Sequence, residues 1–327
     1  MKRPGPFRLA PVYLPKVWAA PQVAGPVGEV LGAPPGTGEV WLASDRHHVT
    51  PVVGGELEGL GLDAVVARWR GWLWGGEEGP FPLLLKVLSV GQWLSVQVHP
   101  DDEAARRLEG EPWGKSEAWH VLAAEPGAEI ILGLRPGVDR AAVEEAVRGG
   151  RLVELLARVP ARAGDTFHLP AGTIHATGPG LTIFEIQQAS DITYRFYDWD
   201  RLGADGKPRP LHIDQALAVM KPSGPGGPVP PREEKRGRAT LVTLVDDPHF
   251  RLRRLELGGE LELAGGRLRV FFLLSGGVRL EADGYPACGM APGQCWLVPA
   301  GLEGVRLAPE GAAVILESQA QGGEEGA

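Results

Sequence analysis

The sequence predicts a mostly β fold made of two β-units, with a small helical insertion in the first. Three observations predict it. Short apolar runs alternate with turn residues along the whole chain, and 47 Gly and 30 Pro in 327 residues supply the punctuation, a pattern of many short strands rather than long helices. The segment SGPGGPVPPREEKRG, 223–237, is rich in Pro, Gly and charge and reads as a linker. The Gly-x5-Pro-x-Gly spacing of GDTFHLPAG (Gly164–Gly172) returns beyond that linker as GQCWLVPAG (Gly293–Gly301), so the second unit reads as a relative of the first.

In chain order, residues 1–35 are Pro-rich and poorly periodic and read as an extended arm. Gly38–Ser44 reads as a strand. Leu62, Val65, Val66, Trp69 and Leu73 share one helical face, so 62–74 reads as a helix. Pro82–Ser89 and Trp93–His99 read as buried strands, and Asp102–Leu108 as a short helix capped by Asp101 or Asp102. Glu117–Ala123 and Ala128–Leu134 are strand-like. Within an insertion near 135–162, the pattern turns helical between Asp139 and Val159, with one helix through Ala142–Val147 and another through Leu152–Leu156, split by Gly149-Gly150. Strands return at Asp165–Leu169, Leu181–Gln187 and Ile192–Tyr197, followed by a helix over 211–221. The expected organisation is a catalytic domain at 1–222, the linker at 223–237, a β-domain without metal ligands at 238–318 and a disordered tail at 319–327.

Composition narrows the function. A net charge of −8 speaks against nucleic acid as a partner. The basic start MKRPGPFRLAP lacks the apolar core of a secretory signal, and the run Phe81–Leu88 is too short and interrupted to span a membrane. Cys288 and Cys295 form no Cys-x-x-Cys pair and read as ordinary thiols of a reducing compartment, so a cytoplasmic protein is expected. Nothing in the sequence specifies an oligomeric state.

Two stretches carry the chemistry. Gly91–Glu117 opens Gly-x5-Gln-x-His, and strand alternation sends Gln97 and His99 to one side and Val98 to the other. Gly164–His175 reads Gly-x5-Pro-x-Gly-x2-His, and its Pro170-Ala171-Gly172 turn returns His175 to the same place. With Glu117 these offer two imidazoles, a carboxylate and an amide oxygen, the donor set of a mononuclear metal site with open positions. The two patterns resemble the halves of the cupin signature, which implies a jelly-roll barrel. Two departures stand out: Gln97 replaces the first His, and Glu117 comes eighteen positions after His99, beyond an inserted helix. In the second unit Gly304 stands where His175 stands in the first, so that unit is expected to lack a metal.

QVHPDDE, GKSEAWH, GDTFHLPAGTIHATGPG and EIQQASDITYRFYDWDR, with GEVWLAS and LLLKVLSV upstream, are similar to the type I phosphomannose isomerase family. The resemblance is dense from 38 to 222 and is to a short bacterial form, because only 135–162 is available for a helical domain; Trp18-Ala19-Ala20 stands where the family usually has Trp-Gly-Gly. The resemblance implies a zinc-dependent aldose–ketose isomerase acting on a sugar phosphate, mannose 6-phosphate to fructose 6-phosphate, through a cis-enediol. It implies one zinc per chain held by Gln97, His99, Glu117 and His175; catalytic roles for Arg195, Lys115 and Glu185; and phosphate contacts from Lys86 and Lys115. Glu185, a zinc-bound water and His168 are all open as the C1/C2 base, while His120 reads as structural. Two rival readings are a metal-dependent cupin oxygenase, against which Gln97 counts, and a non-enzymatic sugar-phosphate-binding cupin.

Overall fold

The computed structural model describes residues 2–75, 81–203 and 206–321. Among these residues the chain forms four antiparallel sheets, two in each unit. In the first unit a six-stranded sheet runs in the spatial order Thr166–Leu169, Glu117–Ala124, Leu181–Gln188, Leu83–Val90, Thr37–Ala43, Val12–Pro15. It packs on a five-stranded sheet ordered Tyr194–Tyr197, Val96–Val98, His175–Thr177, Glu129–Leu134, Leu156–Pro160. Leu88, Trp119, Val121, Phe167 and Ile183 from one sheet meet Ile130 and Leu132 from the other in a shared core. The result is a jelly-roll sandwich with open edges rather than a closed hydrogen-bonded barrel.

Leu83–Val90 (LLLKVLSV) is buried along its whole length because both its faces are covered. Leu83, Leu85 and Val87 pack outward on the second unit, while Leu88 and Val90 pack inward. Alternation therefore places Lys86 on the inner face, where an ammonium needs partners.

The second unit repeats the first. Its large sheet contains Cys295–Val298, Arg269–Ser275, Ala313–Ala320, Phe250–Leu257, Ala239–Asp246 and Arg232–Arg236 in that order, the same permutation of chain order as in the first unit. It faces a four-stranded sheet across a core that includes Phe271, Leu273, Leu280 and Ile315. A third core, with Phe184 stacked 5.7 Å from Phe272, joins the two units. The helix Leu62–Trp74 seals the joint: its terminal carbonyls on Trp72 and Leu73 accept from the Gly301 and Ala300 amides of the second unit's Pro-Ala-Gly turn. A Cβ at Gly301 would lie 2.1 Å from the Trp72 ring, so only glycine allows this approach.

Several boundaries differ from the sequence expectation. The arm at 1–35 contains Phe7–Leu9, which with Val52–Val53 extends the second unit's large sheet, so residues 1–222 are not structurally closed. The expected linker ends in a strand, Arg232–Arg236, whose all-exposed REEKR suits a sheet edge and hides its strand character behind charge. In the 135–162 insertion only Arg140–Arg148 is an α-helix; Leu152–Leu155 is a single 3-10 turn leading into the edge strand Leu156–Pro160. The last strand runs to Ala320, and residues 322–327 of the expected tail lie outside the described residues. No described helix is long and apolar enough to cross a membrane.

Candidate metal centre and active site

Register brings the site residues together. In antiparallel sheets directly paired residues share a face. On the five-stranded sheet, Arg195, Gln97 and His175 form one row across three neighbouring strands. On the facing sheet, Trp41, Lys86, Glu185 and Trp119 form another row, and Glu117 pairs with Gln187. The inserted helix Asp102–Glu109 is capped by Asp101, while Asp102 Oδ1 accepts from the Gly114 amide at 2.8 Å and from Gln188 Nε2 at 3.0 Å. Gly114 itself is forced, since a Cβ there would meet the Pro100 carbonyl at 2.3 Å. This locked turn delivers Lys115 and Glu117 into the interior.

His99, Glu117 and His175 converge, and all three are buried. His99 Nδ1 lies 2.8 Å from the Ile192 carbonyl and His175 Nδ1 lies 2.9 Å from the Thr173 carbonyl. A carbonyl only accepts, so each Nδ1 carries a proton and each Nε2 is the nitrogen turned to the centre. His175 Nε2 is 3.2 Å from Glu117 Oε1 and His99 Nε2 is 3.6 Å from Oε2. His99 Nε2 and both Glu117 oxygens have no hydrogen-bond partner. The Lys115 ammonium is 2.9 Å from Oε2, close enough to attract but out of hydrogen-bond alignment. Burial first, and the Lys115 charge second, hold the His99 imidazole neutral, well below its ordinary range. Burial pushes Glu117 up, but Lys115, His99 and His175 outweigh it and hold the carboxyl well below its usual range. Two imidazole Nε2 atoms converging on a buried carboxylate whose oxygens have no hydrogen-bond partner among the described residues are the arrangement a divalent cation completes. The residues therefore fit a metal.

Gln97 approaches the same centre. Its Nε2 is 3.3 Å from His175 Nε2 while Oε1 accepts from Ser95 at 3.1 Å. The two ends of an amide have the same shape, and a half-turn of the group turns Oε1 toward the cluster, the orientation a ligand role requires.

Lys86 and Glu185 are 2% and 4% exposed and lie 3.5 Å apart. Lys86 also lies 3.5 Å from Asp191 and 4.6 Å above the Trp41 ring. Burial works against its charge, but Asp191, Glu39 and Glu185 more than offset this and keep it protonated. Glu185 accepts from Trp119 Nε1 at 2.8 Å. Burial, with Glu117 nearby, raises its pKa against the pull of Lys115 and Lys86. Arg195 is half-buried and pairs with Gln97 across neighbouring strands, and its Nε has no hydrogen-bond partner among the described residues.

The structure thus gathers Gln97, His99, Glu117, His175, Lys86, Lys115, Glu185 and Arg195 in one interior. His168 does not join them: it lies on the outer face opposite Ala118 and bonds Asp247 of the second unit at 2.8 Å. His120 is also outward, on Thr166 Oγ1. Sequence reasoning missed Asp191 and Trp119. Asp191 stood inside the quoted SDITYR motif, and Trp119 two residues from Glu117 on the same strand face.

The phosphomannose isomerase type I catalytic-domain family model matches residues 22–120. Mannose-6-phosphate isomerase of Streptococcus mutans is 39% identical over 228 residues, 69% of this chain and 71% of that protein. Mannose-6-phosphate isomerase ManA of Bacillus subtilis is 35% identical over 273 residues, 83% of this chain and 84% of that protein. A crystal structure of mannose 6-phosphate isomerase from Bacillus subtilis superimposes with a TM-score of 0.86 at 30% identity, covering 96% of this chain and 99% of that one. A variant of Salmonella typhimurium phosphomannose isomerase shares the fold, with a TM-score of 0.74 at 16% identity over 97% of this chain and 100% of that one.

Proposed function

The chain belongs to the type I phosphomannose isomerase family, and from that membership we propose that it interconverts mannose 6-phosphate and fructose 6-phosphate with zinc at the His99–Glu117–His175 centre. The observation that carries the metal part is the convergence of His99 Nε2 and His175 Nε2 on a buried Glu117 carboxylate whose oxygens have no hydrogen-bond partner among the described residues. His99, Glu117, His175 and the Gln97 amide oxygen would hold the ion. A bound zinc supplies Lewis acidity toward sugar oxygens that gain negative charge.

The chain's own residues do the rest. Isomerisation through a cis-enediol moves one proton from C2 to C1 and a second from O2 to O1. Glu185 takes the proton from C2 of the aldose and returns it to C1; its open acceptor sites and its raised pKa suit both halves of that exchange. Arg195, beside Gln97 and without a partner on Nε, stabilises the developing oxyanion. Lys86, Lys115 and Arg195 balance Glu117, Glu185 and Asp191 in charge. A divalent ion then leaves the pocket positive, which draws in the substrate phosphate through Lys86 and Lys115. Free thiols at Cys288 and Cys295 suit a cytoplasmic enzyme.

The test is a coupled assay with mannose 6-phosphate on protein of known metal content. Turnover that disappears on chelation and returns with zinc supports the proposal. Full turnover by metal-free His175→Ala protein overturns it.

A further inference from the structure

The second unit contains its own copy of the catalytic row. Phe167 and Trp296 each fall three residues after the Gly that opens the shared motif. From them the register runs Phe167–Trp119–Glu185–Lys86 in the first unit and Trp296–Phe271–Glu317–Arg253 in the second. Two residues away, Glu117 and Gln187 correspond to Arg269 and Gln319. The metal-ligand carboxylate has become a guanidinium, and the cation–carboxylate pair has survived.

The two carboxylates are held differently. Glu317 is fully buried and receives three hydrogen bonds, from Arg253 Nε at 2.7 Å on one oxygen and from Arg269 Nε at 2.9 Å and Gln319 Nε2 at 2.8 Å on the other, with the second Arg253 nitrogen in ion-pair contact at 2.6 Å. A carboxylate has about four acceptor sites, so three hydrogen bonds and the second Arg253 nitrogen leave Glu317 little room for another partner. Glu185 has a single hydrogen bond, from Trp119, with the Lys86 ammonium standing off at 3.5 Å on the other oxygen. Where a Trp indole holds the carboxylate, acceptor sites remain open. Where Phe271 stands instead, with no N–H to give, charged groups and an amide close them.

We propose that Trp119 is a positioning residue for isomerisation: its indole N–H fixes the plane of the Glu185 carboxylate while leaving acceptor sites free for the substrate. This rests on the isomerase reading above. Trp119 lies edge-on to His175 at 5.4 Å, so its ring also packs the metal centre, and the test must separate the N–H from the ring. Trp119→Phe keeps a ring and removes the donor.

The experiment measures kcat and KM for mannose 6-phosphate, with metal content, for zinc-loaded wild type, Trp119→Phe, Glu185→Gln and the double variant. The expected result is a kcat lower by about tenfold or more in Trp119→Phe, with KM within about twofold and metal content unchanged. In the Glu185→Gln background the same substitution is expected to cost nothing further, because its effect passes through the carboxylate. A wild-type kcat in folded, metal-loaded Trp119→Phe overturns the proposal. So does a loss that tracks missing metal, or a further loss on top of Glu185→Gln. If Trp119→Phe does not fold, benzothienylalanine installed at 119 keeps the indole shape without the N–H, and the same criteria apply. A wild-type protein that is itself inactive on mannose 6-phosphate refutes the isomerase reading instead.

Discussion

His175 Nε2 faces Glu117 Oε1 across 3.2 Å, and both side chains are buried. The Thr173 carbonyl fixes the imidazole tautomer, and burial removes the water that would otherwise separate a lone pair from a carboxylate. A cation bound between these groups would compensate the buried Glu117 charge, so the proposed metal would stabilise the fold as well as serve the reaction. Chelation is therefore expected to lower the melting temperature of the wild-type protein. A ligand held at a thousand times its Kd adds about 4 kcal/mol. His175→Ala is expected to start low and to show no response to chelator. Calorimetry with and without EDTA, alongside metal analysis, measures both; an unchanged wild-type transition after verified metal removal counts against a structural contribution from the ion.

Gln97 lies between His175 and Arg195 in one cross-strand row, so its lack of charge has consequences on both sides. Gln97→Glu keeps a ligand oxygen and adds a carboxylate that Arg195 would pair with. The protein should retain its metal, while kcat falls about a hundredfold because the oxyanion loses the guanidinium and part of the site's positive charge. Metal content together with kcat decides this. A fully active Gln97→Glu enzyme would mean Arg195 does not meet the developing charge.

Much of this site was legible because strand alternation is a local rule. Gln97 and His99 are two apart on one strand, and the Pro170-Ala171-Gly172 turn fixes the return to His175. Lys86 was conspicuous as a charge in an apolar run. Trp119 was not conspicuous, since a Trp in a strand reads as core until its N–H partner is known, and that partner, Glu185, is 66 positions away. His168 failed as a base for a related reason. Its direction depends on register with Ala118, and its partner Asp247 comes from the second unit. Edge strands such as Arg232–Arg236 were hidden because an exposed strand needs no apolar alternation.

His120 makes acid sensitivity testable away from the metal. Burial, with Arg254 nearby, lowers its pKa from 6.5 to about 4. The unfolded state therefore binds a proton between these values that the folded state refuses, and stability falls as pH drops through that window. At about 1.4 kcal/mol per pH unit, the loss approaches about 3 kcal/mol near the lower end. His120→Asn can keep a polar contact to Thr166 but cannot titrate. Its denaturant midpoint should fall less steeply than that of wild type from pH 6.5 to 4; parallel curves would assign the acid lability to other groups.

Lys86 and Glu185 should separate stability from function. With Glu185 gone Lys86 keeps two carboxylates, Asp191 at 3.5 Å and the nearby Glu39, whereas with Lys86 gone Glu185 keeps the Trp119 indole and the charge of Lys115. Lys86→Met therefore leaves a buried charge poorly compensated and should cost about 3–5 kcal/mol, while Glu185→Met should cost less. Removing both charges leaves neither stranded, so Lys86→Met/Glu185→Met should recover much of the lost stability. Activity should not recover, because the carboxylate proposed to move the proton and the cation beside it are both gone. Urea midpoints and kcat on the three variants test the asymmetry and the split. Equal destabilisation by the two single substitutions would show that Asp191 does not compensate Lys86, and regained turnover in the double variant would remove Glu185 from the reaction.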